Sequence, residues 1–199
     1  MERWYRDFRI DSRQQDWPAL SSRLLHGLHA CMSNMAGELG ANPLALGFPG
    51  WNSQGVGNLF RLVSHHPAAL EQIEYEPVIA RLLESMAVEL SPLAPVPEAR
   101  VFAEFSYRRD RQPEKRFTGF TARQNRRRER RGQEVRDPAR RSSRQPDHYI
   151  RLHSSESGHG YCLFLRRSAL EREAGQQPIN INRYGLSTAD SPSAIPHFS

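Results

Sequence analysis

The chain has 199 residues and a formal net charge of +6, and Lys115 is its only lysine among 28 basic residues. This length suits one large or two small domains that can bury a hydrophobic core. No apolar run approaches the roughly 20 residues of a membrane span, and the charged start is unlike a signal peptide. Cys31 and Cys162 are too few for a disulfide framework and lack metal-site spacing. We therefore expect a soluble, cytoplasmic protein that has no membrane partner.

Hydrophobic patterning in the first half of the chain predicts the element order β-α-β-β-α-β. The first strand is indicated by Trp4, Phe8 and Ile10, which share one face because side chains alternate along a strand. Asp16 and Pro18 are typical of a helix start. The predicted elements are a strand at 3–10, a helix at 16–37, strands at 44–48 and 58–63, a broken helical region at 64–85 and an irregular strand at 86–96. This order is the ferredoxin-like pattern, which hosts many activities.

The first predicted helix carries two histidines that differ in their position relative to its apolar stripe. The stripe consists of Leu20, Leu24, Leu28, Cys31 and Met35. With about 100° of rotation per residue, His29 lies at the boundary between stripe and solvent, and His26 lies nearly opposite the stripe. A histidine at the edge of a buried face can line a cleft, or it can simply be a polar residue at the edge of the core. Position alone favours the second interpretation of His29.

Pro95 and Pro97 predict a domain boundary. The predicted parts are a first domain at 1–97 and a second at 98–199, the latter with a strand at 101–107, a helix near 121–133 and strands at 148–153 and 161–166. The last two strands bracket the polar hairpin loop SSESGHG. The predicted fold class is therefore α+β, with a ferredoxin-like domain followed by an irregular α/β domain that carries an arginine-rich helix.

Positive charge is concentrated in a tract that runs from Arg100 to Arg151. The tract holds 16 arginines and Lys115 against seven acidic residues, an excess of +10, so the rest of the chain sums to −4. If its centre, RQNRRRERR, is helical, one side carries Arg123, Arg127, Arg130 and Arg131, with Arg126 at the margin. Guanidinium groups bind phosphate in bidentate fashion, and a polyphosphate groove would neutralise such a stripe. The tract predicts nucleic-acid binding, although charge runs are also common as solvated faces.

Six motifs, in one order along the chain, carry a resemblance to a known family. They are LLHGLHA, LGFPGW, FSYRRDRQ, RLHSSESGHGYCLFLRR, YGLS and IPHFS. The ordered set resembles the type I-F CRISPR repeat endoribonucleases, the Cas-six proteins of the Csy-four kind. This resemblance implies a ferredoxin-like domain with a catalytic histidine, followed by an irregular domain with an arginine helix. It also implies cleavage of precursor CRISPR RNA at the 3′ base of a hairpin, without a metal or other cofactor. The enzyme would then stay on the CRISPR RNA as a subunit of a Cascade-like type I-F effector complex.

The resemblance implies catalytic roles for three residues. His29 matches the family's catalytic histidine, whose imidazole can take the proton of the attacking 2′-hydroxyl and so produce a 2′,3′-cyclic phosphate. Ser154 matches the serine that holds the reactive ribose, although Ser155 is the equivalent if the alignment shifts by one residue. Tyr184 of YGLS matches a tyrosine near the site that has a positioning role. Without the resemblance, Ser154 would be a turn residue, and Tyr184 could equally be an ordinary packing residue.

The resemblance also implies contacts with RNA. Arg109 and Arg111 match two side chains that enter the major groove of the hairpin, where arginine pairs with guanine. The family often has glutamine at the second position, so Gln112 is the alternative to Arg111. Tyr161 matches an aromatic residue that stacks on the closing base pair at the cut site, and its other interpretation is a strand core residue. The residues expected to contact phosphates are Arg123, Arg126, Arg127, Arg130 and Arg131.

Two other functions stay open at this point. A subunit that caps the guide-RNA hairpin without cutting it needs the same arginines, and so does a general nucleic-acid-binding protein of ribosomal or architectural type. The first would bind the repeat hairpin without cleaving it, whereas the second would show no preference for a hairpin. Metal-dependent nuclease chemistry is disfavoured because the sequence has no HxxxH motif, no cysteine cluster and no paired carboxylates at helical spacing in a cleft-like context.

Overall fold

The computed structural model describes residues 2–11, 16–110, 126–133, 147–153, 159–171, 181–188 and 192–198. Within these ranges the chain forms two antiparallel sheets, and helices pack against them. The predicted α+β class is therefore confirmed. None of the helices in these ranges is long and apolar enough to cross a membrane.

The first sheet and its helices are built by residues 4–95. The strands are β1 (Trp4–Ile10), β2 (Ala45–Gly47), β3 (Leu59–Ser64), β4 (Val88–Leu90) and β5 (Ala94–Pro95), and the helices are α1 (Trp17–Leu39), α2 (Pro67–Glu71) and α3 (Pro77–Glu84). The strands lie in the order β2-β3-β1-β4, and β5 pairs with the opposite end of β1. The elements follow the predicted order along the chain. The last strand is divided into β4 and β5 around Pro92, because proline has no N–H for the ladder.

Helix α1 carries Pro18 in its first turn and ends at Gly40, whose left-handed φ of 75° closes the helix. Its buried residues are Ser21, Leu24, Leu25, Gly27, Leu28, Cys31, Met32 and Met35. The predicted stripe is therefore confirmed except at Leu20, which is only half-buried. The helix continues two residues beyond its predicted end at residue 37.

The second sheet is also antiparallel and has the strand order β7-β8-β6-β9. Its strands are β6 (Ala103–Arg109), β7 (His148–His153), β8 (Gly160–Leu170) and β9 (Ile195–His197). The three predicted strands are present. Strand β9 has no counterpart among them, because three residues with a central proline show no periodicity. The buried side chains of both sheets belong to one hydrophobic core, and the domain boundary near residue 97 stays a prediction.

Strand β9 and the residue after it connect the two sheets. Ile195 is buried against Gly47 of β2, and a Cβ at that glycine would overlap the isoleucine side chain. Arg61 of β3 donates a 3.0 Å hydrogen bond to the carbonyl of Pro196. The guanidinium carbon of Arg61 also lies 3.7 Å from the ring centre of Phe198. The end of the described chain is therefore anchored to the first sheet while β9 pairs with β6 of the second.

His197 is buried at the centre of this junction. Its Nε2 lies 2.7 Å from the hydroxyl of Tyr107, and that hydroxyl donates to the Phe48 carbonyl at 3.1 Å. The Tyr107 hydroxyl has one hydrogen and donates it to the Phe48 carbonyl. In its contact with His197 the hydroxyl must therefore accept, so Nε2 of His197 carries a hydrogen and donates it. Burial, together with the positive charges of Arg61 and Arg167, lowers the pKa of His197 to about 4. His197 is therefore neutral in the folded protein at neutral pH.

Acidification is expected to destabilise the protein through His197. An unfolded imidazole has a pKa of about 6.5. Between that value and about 4, the unfolded chain binds a proton that the folded chain does not. The free energy of unfolding should therefore fall by about 2 kcal/mol as the pH drops through this window. Urea unfolding at neutral pH and at about pH 4.5 measures the fall.

Two variants separate this effect from the titration of other groups. His197→Gln should show a smaller fall between the two pH values, because the residue that binds the extra proton is absent. His159→Gln, at an exposed position, should keep the wild-type fall. An equal fall in all three proteins would show that His197 is not responsible.

Candidate active site

The candidate active site lies where α1, β6, β8 and the segment 181–188 meet. His29 is half-buried on α1, and its neighbours Leu28 and Met32 are buried. The predicted position of His29 at the boundary between core and solvent is therefore confirmed. Its ring can contact a ligand on one side while the protein orients it from the other.

A tight turn at residues 182–186 holds the partners of His29. Asn182 organises this turn: its side-chain Oδ1 accepts hydrogen bonds from the N–H groups of Tyr184 at 2.8 Å and Leu186 at 3.3 Å. Its carbonyl accepts a 3.0 Å hydrogen bond from the side chain of Asn42. Gly185 has a left-handed φ of 71°, and its carbonyl accepts a 2.7 Å hydrogen bond from the backbone of β2. The turn is therefore fixed both internally and against the first sheet.

The His29 ring is held from two directions. The Tyr184 ring stacks on it, with 4.0 Å between ring centroids and 8° between the planes. Nδ1 of His29 lies 2.9 Å from the carbonyl oxygen of Arg183. A carbonyl oxygen can only accept, so Nδ1 carries the proton, and in the neutral ring the lone pair is on Nε2. The hydroxyl of Ser33, 3.5 Å from Nδ1, adds at most a weak contact. Nε2 is therefore the atom that can accept a proton from a ligand.

Two further predicted residues contact Tyr184. The Tyr161 hydroxyl lies 3.4 Å from the Tyr184 hydroxyl, and the Arg109 guanidinium carbon lies 5.7 Å from the centre of the Tyr184 ring. Burial and the Tyr184 hydroxyl raise the pKa of Tyr161 to about 12, against an opposing effect of Arg109. Tyr161 is therefore un-ionised at neutral pH. The fold thus brings together four predicted site residues, His29 and these three, from distant parts of the sequence.

Three predicted site residues, Ser154, Arg111 and Arg123, lie outside the described residues. The alternatives Ser155 and Gln112 lie outside them too. Strand β7, which ends one residue before Ser154, packs against α1, the helix that carries His29. The roles of all five residues stay predictions.

Residues 126–133 contain the last part of the predicted arginine helix. Residues 126–129 are helical, and a Schellman motif follows at Gly132, which has a φ of 63°. The N–H of Gly132 bonds to the Glu129 carbonyl at 3.0 Å, and the N–H of Gln133 bonds to the Arg128 carbonyl at 2.9 Å. The predicted phosphate-binding residues described here are Arg126, Arg127, Arg130 and Arg131, and all four are exposed. The helix predicted before residue 126 lies outside the described residues.

Asn182 and Arg183 are site residues that sequence reasoning missed. The segment NRYG does carry a turn signal, since asparagine bonds to its own turn and glycine permits a positive φ. That signal predicts a turn at Asn182. It does not predict that the carbonyl of Arg183 will meet His29, because this contact depends on how the turn packs against α1.

These features define an α+β class of protein with an exposed basic segment and an imidazole oriented to accept a proton. A family model described as CRISPR-associated protein (Cas_Csy4) matches residues 5–198. Because the match covers nearly the whole chain, the chain belongs to this family, and the resemblance predicted from its motifs is confirmed. The family is associated with CRISPR RNA endoribonuclease activity, so membership implies a part in the processing of CRISPR repeat RNA. No curated protein matches the chain.

Proposed function

We propose that the protein is a metal-independent endoribonuclease that cuts CRISPR repeat RNA at the 3′ base of a hairpin. The orientation of His29 carries this proposal: Nδ1–H bonds to the Arg183 carbonyl at 2.9 Å, which leaves Nε2 as the proton acceptor. The enzyme would stay on its product as a subunit of a Cascade-like type I-F effector complex. Its parts would be a ferredoxin-like domain at 1–97 and an RNA-recognition domain at 98–199.

Cleavage would begin when Nε2 of His29 accepts the proton of the ribose 2′-hydroxyl. The 2′-oxygen then forms a bond to the adjacent phosphorus, and the bond from phosphorus to the 5′-oxygen breaks. The leaving 5′-oxygen takes up a proton, so the products are a 2′,3′-cyclic phosphate and a 5′-hydroxyl. The carbonyl of Arg183 stabilises the imidazolium through Nδ1–H, since hydrogen bonds to charged groups are strong. Tyr184 fixes the orientation of the His29 ring by stacking on it, and it would take no part in proton transfer.

The other predicted site residues would position the RNA. Ser154 would hold the reactive ribose. Tyr161, which touches Tyr184, would stack on the closing base pair and so set the distance from the stem to the cut. Arg109 would read a guanine edge in the major groove, together with Arg111 or Gln112. A-form RNA admits side chains to that groove only near a helix end or a distortion, and the base of the hairpin is such an end.

Arginine-to-alanine changes in the exposed basic segment, residues 126–133, are expected to weaken RNA binding in a salt-dependent way. Each phosphate contact releases counterions, so the loss of one contact should reduce the slope of log K against log salt concentration by about one unit. The variants are Arg126→Ala, Arg127→Ala, Arg130→Ala and Arg131→Ala, and binding to repeat RNA is measured over a salt series. Arg81→Ala, exposed on α3, is the matched control and should leave the slope unchanged. A wild-type slope in all four variants would contradict phosphate binding by this segment.

A cleavage assay tests the proposed function. Repeat RNA from the protein's own genomic neighbourhood is mixed with excess protein in EDTA, and the ends of the products are identified. The expected result is one cut at the 3′ base of the hairpin, with a cyclic phosphate on the upstream product. A cut that appears only after Mg²⁺ is added would contradict the metal-independent mechanism. Tight binding without a cut would identify a hairpin cap, and equal binding to RNA without a hairpin would identify a general nucleic-acid-binding protein.

A further inference from the structure

Arg183 contributes its main-chain carbonyl to the site, but its side chain has no role in the cleavage step proposed for His29. Its carbonyl oxygen lies 2.9 Å from Nδ1 of His29. Its side chain is exposed and forms no ion pair with any residue in the described ranges. A permanent positive charge is therefore attached to the turn that orients the imidazole, and no described carboxylate neutralises it.

The turn determines where the Arg183 side chain starts. The side chain of Asn182 accepts from the N–H of Tyr184 at 2.8 Å, and Gly185 bonds to β2 at 2.7 Å, so both flanks of Arg183 are held. From standard bond lengths, the two ring nitrogens of His29 are about 2.2 Å apart, and an extended arginine reaches about 7 Å from its Cα. An Arg183 side chain that extends toward Nε2 could therefore approach a phosphate next to a ribose hydroxyl bound there.

A cation near the scissile phosphate would favour the proposed reaction. Negative charge develops on the non-bridging phosphate oxygens as the 2′-oxygen attacks, and fixed donors aimed at developing charge are among the largest contributions to catalysis. Tyr161 can donate a hydrogen bond through its hydroxyl, but a phenol side chain never carries a positive charge. Among the described residues that contact His29 or Tyr184, Arg109 and Arg183 are the two arginines. Arg109 lies over the Tyr184 ring and already has a proposed contact with a base.

We propose that Arg183 binds the scissile phosphate through its guanidinium and stabilises the charge that develops on the non-bridging oxygens. This inference rests on the proposed function. Arg183 would then have two roles: its main-chain carbonyl selects the tautomer of His29, and its guanidinium neutralises the phosphate. A planar guanidinium suits the second task, because it can donate two parallel hydrogen bonds to two phosphate oxygens.

Arg183→Ala tests the inference because it removes the guanidinium and keeps the carbonyl that holds His29. Single-turnover cleavage at saturating protein is expected to slow by about 100-fold, the usual effect of removing one donor to developing charge. Affinity for the repeat RNA should change by less than about threefold, since many other arginines remain to bind phosphates. Arg183→Lys should recover part of the rate, because it restores charge but not the bidentate geometry. Arg81→Ala is the control for loss of an exposed arginine and should cut at the wild-type rate.

Two readouts separate this role from a merely structural one. Added guanidinium ion should restore part of the rate to Arg183→Ala at concentrations that do not unfold it, and should not accelerate the wild type. A sulfur atom in place of one non-bridging oxygen at the cut site should slow the wild type, because sulfur accepts hydrogen bonds weakly. The same sulfur should have a smaller effect on Arg183→Ala, whose guanidinium is already absent. Arg183→Gln, which keeps a long polar side chain, repeats the comparison if the alanine variant melts at a lower temperature.

The outcomes distinguish this inference from the function on which it rests. If the wild type does not cut repeat RNA, the proposed function fails, and the inference fails with it. If the wild type cuts and Arg183→Ala cuts at the same rate, only the inference is overturned. Loss of affinity by the same factor as the rate, or the absence of rescue by guanidinium ion, would also overturn it, because the side chain would then serve binding or folding instead.

Discussion

Replacing His29 with alanine is expected to lower the single-turnover cleavage rate of repeat RNA by about 1,000-fold, within the range typical for loss of a general base. RNA affinity should stay within a few-fold of the wild type, because the exposed arginines of the basic segment are unchanged. Cleavage should slow because the substitution removes a single proton-accepting atom, Nε2 of His29. With Nδ1–H bonded to the Arg183 carbonyl at 2.9 Å, Nε2 is the ring position that can take the proton of the 2′-hydroxyl. Cleavage and binding are measured on the same repeat RNA in EDTA.

His26→Ala is the matched control for His29→Ala. His26 lies on the same helix three residues earlier and is also half-buried, but it has no hydrogen bond or ring contact with Arg183 or Tyr184. Its replacement should leave the cleavage rate within about twofold of the wild type, as is usual for a group outside the reaction. Equal rates for His29→Ala and the wild type would remove His29 from the mechanism. A large loss in both variants would point to helix α1 as a whole and not to one imidazole.

Gly185→Ala is expected to lower both the stability of the protein and its cleavage rate. The φ of Gly185 is 71°, and a Cβ there would lie 2.9 Å from the Leu44 carbonyl oxygen and 2.9 Å from the Met32 sulfur. The methionine can move, but the Leu44 carbonyl belongs to the backbone that leads into β2. We expect the free energy of unfolding to fall by about 3 kcal/mol, from the left-handed backbone and the overlap combined. Because the same turn presents Tyr184 and the Arg183 carbonyl to His29, cleavage at a temperature where the variant is folded should slow by at least about tenfold.

Gly40→Ala separates the two contributions to this effect. Gly40 has nearly the same φ, 75°, at the end of α1, and a Cβ there would meet nothing within 4 Å. It should therefore show only the cost of the left-handed conformation, about 1 kcal/mol, and should cut RNA at the wild-type rate. Urea unfolding and single-turnover cleavage of both variants provide the comparison. If the two alanine variants are equally stable and equally active, the close approach of the turn to β2 contributes neither to stability nor to cleavage.

Local elements of this fold can be predicted because they depend on short-range geometry. Apolar residues recur every three or four positions in α1, and this period alone places Leu24, Leu28, Cys31 and Met35 in the core and His29 at its edge. Alternation identifies β1 and β6 in the same way. The family resemblance supplied roles for particular residues, and the family itself is confirmed by the match over residues 5–198. Strand β9 could not be predicted, since it is defined by pairing with β6 and by contacts with Gly47 and Arg61.

By itself, the sequence determined the helix that carries His29, the order of the elements within residues 4–95 and the concentration of arginine between residues 100 and 151. Each of these depends on neighbours within one or two turns of chain, or on composition. The tertiary structure alone decided which nitrogen of His29 can accept a proton. That choice depends on a carbonyl 154 positions away along the chain, brought to Nδ1 by a turn that packs against both α1 and β2. No local pattern encodes such a contact, because it exists only once the two sheets share a core.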